Sequence, residues 1–92
     1  MKITNETEYS TRDLRRIFLA CENNEGTDPS FRNVKVVYNR INRISGYAWY
    51  NSNSVVIRLP KLRYLTDIHV LAKVYIHEVG HNLNLRHREM MN

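Results

Sequence analysis

Apolar residues recur along this chain with two different periods. Across residues 10–24, Leu14, Ile17, Phe18 and Cys21 fall at i, i+3, i+4 and i+7, the stripe of an amphipathic helix. Ser10 or Thr11 can cap its start, and Asp13 sits in the first turn, where the helix dipole favours a negative charge. Asn23, Asn24 and Gly26 end it, and Pro29 marks a loop. The period then drops to two. Residues 34–39 place Val34, Val36 and Tyr38 on one face. Residues 47–51 are aromatic-rich and follow Gly46. Residues 55–59 place Val55, Ile57 and Leu59 on one face and stop at Pro60. Between the last two runs, Asn51-Ser52-Asn53-Ser54 suits a hairpin turn, because Asn tolerates turn dihedrals. The helical period returns from about Thr66 to Leu83 or Asn84, with Thr66 as cap and Asp67 in the first turn. On a helical wheel Ile68, Leu71, Ala72, Tyr75, Ile76, Val79 and Leu83 form a core arc opposite His77. Helix, three strands and helix predict an α+β fold with a small three-stranded sheet.

The 92 residues leave room for one domain, 1–92. At this size a single core is marginal, and a bound metal or partner can add stability. No apolar run approaches the roughly 18–20 residues that span a bilayer, so no membrane is expected as a partner. Residues 1–9 are polar and lack the apolar stretch of a signal peptide, and Cys21 is the one cysteine. Both features point to a reducing, cytoplasmic compartment. Cys21 reads as a small buried hydrophobe. Fourteen Lys and Arg against nine Asp and Glu leave a formal charge of +5. The basic residues are scattered rather than blocked, which describes a mildly basic surface with at most weak nucleic-acid binding.

The last helix carries His77-Glu78-Val79-Gly80-His81. Histidines four apart project from one helix face, one turn apart, and can bind one Zn²⁺ at roughly 2.0–2.1 Å each. Glu78 lies about 100° round the helix from His77, where it can take a proton from a water at an open metal position. His87 stands six residues after His81.

The run from His77 to His87 resembles the metzincin zinc metallopeptidase signature, H-E-x-x-H-x-x-G-x-x-H. The resemblance implies that His77, His81 and His87 are zinc ligands and that Glu78 is the general base. Asn84 stands where the family has Gly. The chain must leave the helix there for the third histidine to return to the metal, and Asn is the next-best residue for a left-handed conformation. A positive φ at Asn84 is therefore expected. The family's methionine turn has only Met90 and Met91 as counterparts. Gly46-Tyr47-Ala48-Trp49 resembles the Gly-x-Ala element of the rim strand in several zincins, an edge strand above the metal that pairs with extended substrate. This implies that Tyr47, Ala48 and Trp49 contact a peptide or protein substrate. Short zincin-like domains of the SprT type share a similar strand pattern, although their third ligand lies further downstream.

The other candidates are His69, which reads as a surface residue, and Glu89, an alternative third ligand. Tyr38, Tyr47, Tyr50 and Tyr64 could each stabilise an oxyanion. The expectation is a zinc metalloendopeptidase acting through a Glu-assisted water. Two alternatives are a nucleic-acid-associated protease and a zinc-stabilised interaction module without catalysis.

Overall fold

The computed structural model describes residues 1–61 and 67–84. Expectations that rest on Tyr64, Thr66, His87, Glu89, Met90 and Met91 lie outside the described residues.

The described chain is α+β and runs β1 (Lys2–Asn5), α1 (Thr11–Glu25), β2 (Asn33–Tyr38), β3 (Ser45–Ala48), β4 (Ser54–Leu59) and α2 (Ile68–Asn82). Among the described residues the sheet has four strands in the order β1-β2-β4-β3, not the three expected. The additional strand, β1, lies in the N-terminal segment read as merely polar. Only Ile3 among its four residues is apolar, so it carries no clear period-two signal. Its place comes from backbone pairing parallel to β2, with Ile3 opposite Val34. β2 and β4 are also parallel, whereas β3 is an antiparallel edge strand. β3 is shorter than the expected run, since Trp49, Tyr50 and Asn51 belong to the turn into β4. Asn51 takes φ 52° there, the left-handed conformation for which Asn is suited.

Local chemistry sets the bounds of α1. Ser10 caps it, its hydroxyl accepting from the Asp13 amide at 3.2 Å. Gly26 ends it at φ 71°, where the Gly26 and Thr27 amides close onto Asn23 and Glu22 carbonyls. In α2 Asp67, expected in the first turn, is itself the cap, its carboxylate accepting from the Val70 amide at 3.1 Å.

Pleat alternation places Val34, Val36, Val55, Ile57 and Leu59 in the core with Leu14, Phe18 and Cys21 of α1 and Leu71, Tyr75 and Val79 of α2. Phe18 and Tyr75 stack between the helices, centroids 4.4 Å apart. Among the described residues no helix is long and apolar enough to cross a membrane.

Candidate metal centre

The expected core arc of α2 holds at its centre and fails at its ends. Leu71, Tyr75 and Val79 are buried, but Ile68 and Leu83 are more than half exposed. In the last two turns Glu78, Gly80, His81 and Asn82 are buried as well. His81, expected away from the core, is only 6% exposed. The reason is tertiary. β3 and the turn after it lie along this half of the helix and cover a side that a wheel leaves to solvent, as Gly46 against Glu78 and Tyr50 against His81 show.

The i, i+4 spacing brings His77 and His81 together as expected. Their Nε2 atoms are 3.1 Å apart, and the rings meet nearly at right angles, centroids 4.7 Å apart. Two nitrogens sharing a tetrahedral zinc at bonds of 2.0–2.1 Å would lie about 3.3 Å apart. With the proton on Nδ1 of each ring, both Nε2 atoms carry a lone pair that a metal can use, and in the other tautomer one ring donates to the other. The donor set and its spacing therefore fit a zinc ion. Among the described residues no group of three metal-binding side chains assembles.

Glu78 is buried against β3. A Cβ at Gly46 would sit 2.8 Å from the Val56 carbonyl oxygen, 3.1 Å from Glu78 Cγ and 3.2 Å from Ile57 Cδ1. The absent side chain at Gly46 is what lets α2 carry Glu78 so close to the sheet. The Tyr50 ring meets His81 edge-on at 5.2 Å. Among the described residues, Tyr50 rather than Tyr38 or Tyr47 brings its ring against a site histidine. Tyr47 pairs edge-on with Trp49 and lies under the Arg58 guanidinium. Tyr38 donates no such contact; its hydroxyl accepts from the Glu8 amide. Ala48 is half-buried, opposite Val55, whereas Tyr47 and Trp49 are exposed. His69 is exposed, as expected.

The end of α2 also has the expected form. The helix stops at Asn82, the Leu83 amide bifurcates onto the Val79 and Gly80 carbonyls, and Asn84 turns to φ 65°. A helix continued to His87 would carry it roughly 15 Å along the axis from His77 and about 80° away. The left-handed residue removes that obstacle.

A buried polar network behind the histidines had no sequence signal. Arg32 donates two hydrogen bonds to the Glu22 carboxylate, at 2.8 and 3.1 Å, and one to Asn82 Oδ1 at 3.2 Å. Glu22 also accepts from the Tyr75 and Thr27 hydroxyls, both at 2.7 Å. Asn82 Nδ2 donates to the carbonyls of Trp49 and Ser54, at 2.9 and 3.0 Å. Burial pushes the Glu22 carboxyl up, but the Arg32, Tyr75 and Thr27 donors outweigh it, and the net shift is below its ordinary value. Burial and the Glu22 acceptor push the Tyr75 phenol well up. Cys21 is buried, and burial with Glu25 and Glu22 nearby pushes its thiol up, away from the reactive thiolate.

The chain matches no protein-family model, no curated protein and no solved structure.

Proposed function

We propose that this chain is a zinc-dependent metallopeptidase of metzincin-like type, with Glu78 as general base. The observation that carries the reading is the pair of Nε2 atoms, 3.1 Å apart on consecutive turns of α2. His77 and His81 would hold the metal, with His87 as the third ligand supplied by the chain beyond the Asn84 turn. Zinc, when bound, polarises the scissile carbonyl and makes a water acidic near neutral pH. The Glu78 carboxylate takes a proton from the attacking water as the new C–O bond forms. It delivers that proton to the leaving amine as the C–N bond breaks. Its burial beside β3 limits where the carboxylate can go, which keeps a general base in register with its substrate. β3 is an edge strand among the described residues, so its outer side at Tyr47 and Ala48 offers backbone N–H and C=O groups to an extended peptide, with the exposed Trp49 side chain beside it.

The test is casein hydrolysis by purified protein after chelation and after zinc is returned. Hydrolysis lost on chelation and restored by zinc supports the reading. Stoichiometric zinc without hydrolysis would leave the site as a stabilising centre of an interaction module.

A further inference from the structure

We propose, resting on the zinc reading above, that Asn82 is a positioning residue that ties the histidine-bearing end of α2 to the segment 49–54. In the same proposal, the buried Arg32–Glu22 pair fixes the direction in which the Asn82 amide points.

Asn82 directly follows His81 and is itself buried. Its Nδ2 group donates to two carbonyls, those of Trp49 and Ser54, which flank the turn between β3 and β4. That turn carries Tyr50, whose ring packs edge-on against His81. One side chain therefore sets both the end of the helix and the turn that lines His81. The direction of the amide follows from donor chemistry. Only Oδ1 can accept from Arg32, and only Nδ2 can donate to the two carbonyls. Arg32 cannot swing away, because two of its N–H groups are held by Glu22. Glu22 is held in turn by Tyr75 of α2 and by Thr27. The network thus joins α1, α2 and the two loops in one arrangement, and in a low-dielectric interior each bond strengthens its neighbours. The expected effect on a metal runs through the placement of α2 and of His81, the residue next to Asn82.

The test is zinc affinity, measured by competition with a chromophoric chelator at a temperature where far-ultraviolet circular dichroism shows each protein folded. Asn82→Ala removes every bond. Asn82→Asp keeps the acceptor for Arg32 and removes the two donated bonds, so it reads the proposal even if the alanine variant fails to fold. Val36→Ala, in the core of β2, is the control for destabilisation alone. Supporting groups of this kind typically change metal affinity about 10–100-fold. Both Asn82 variants should weaken zinc binding by that factor, whereas Val36→Ala keeps the wild-type affinity. Trp49 is the only tryptophan, and its emission should shift in the Asn82 variants but not in Val36→Ala. Asn82 variants within twofold of wild type, or an equal loss in Val36→Ala, overturn the proposal while leaving the zinc reading intact. A wild-type protein that takes up no zinc overturns both.

Discussion

Gly46 on β3 and Glu78 on α2 are in such close approach that a methyl group at position 46 would lie 3.1 Å from Glu78 Cγ. The same methyl group would lie 2.8 Å from the Val56 carbonyl oxygen, which is backbone and cannot rotate aside. Gly46→Ala must therefore move β3 or α2. Overpacking of this kind costs about 1–3 kcal/mol. Urea denaturation should show that loss, and hydrolysis by the folded variant should fall at least tenfold as the carboxylate is displaced. Wild-type stability together with wild-type turnover would contradict the close approach.

Asn84 holds φ 65°, a conformation that costs a residue with a Cβ roughly 1–2 kcal/mol and costs Gly almost nothing. Asn84→Gly should be neutral or mildly stabilising in thermal melts. Asn84→Val, β-branched at the same φ, should weaken zinc retention without touching a ligand. Equal zinc affinity in the two variants would show that the turn does not set the site.

Glu22 gives the fold an acid limit. Its carboxyl titrates lower in the folded chain than its ordinary value of 4.5, so the unfolded chain takes up the proton first as pH falls. The stabilisation is fully present above that ordinary value and is lost as pH falls through the lower folded value. Melting temperature should drop along that limb. Glu22→Gln should flatten it and cost about 3–5 kcal/mol at neutral pH, since Arg32 is left buried without its counter-charge. An unchanged acid limb in the variant would assign the pH dependence to other groups.

A ligand that binds only the folded state stabilises it by mass action, by about 2.7 kcal/mol at one hundred times its Kd. In a domain of this size that corresponds to a fall of about 10 °C or more in melting temperature when zinc is removed. The same melt before and after verified chelation would show that the fold does not lean on a metal.

Short-range features were legible in the amino-acid sequence because their causes lie within one or two turns. The Ser10 cap, the Gly26 end of α1, the shared face of His77 and His81 and the left-handed Asn84 are of this kind. β1 was not legible, since Lys2–Asn5 has one apolar residue and takes its place from β2. The role of Asp67 as cap rather than first-turn residue was not legible either, because Asp suits both places. The burial of His81 and the bonds that join Glu22, Arg32, Tyr75 and Asn82 depend on long-range contacts, 50 positions apart for Arg32 and Asn82 and 53 for Glu22 and Tyr75. No local period reports such contacts. Gly46 lies between these cases. The sequence marks it through a resemblance, and the packing against Glu78 and Val56 gives its physical reason.

The most direct measurement compares wild type with Glu78→Ala at equal zinc content. If Glu78 is the base of a zinc peptidase, both proteins carry one zinc per chain and melt as folded domains. Casein hydrolysis then falls by at least a hundredfold in the variant, in line with the usual worth of general-base catalysis. Equal hydrolysis by the two proteins, or none by wild type with its zinc in place, would contradict the account.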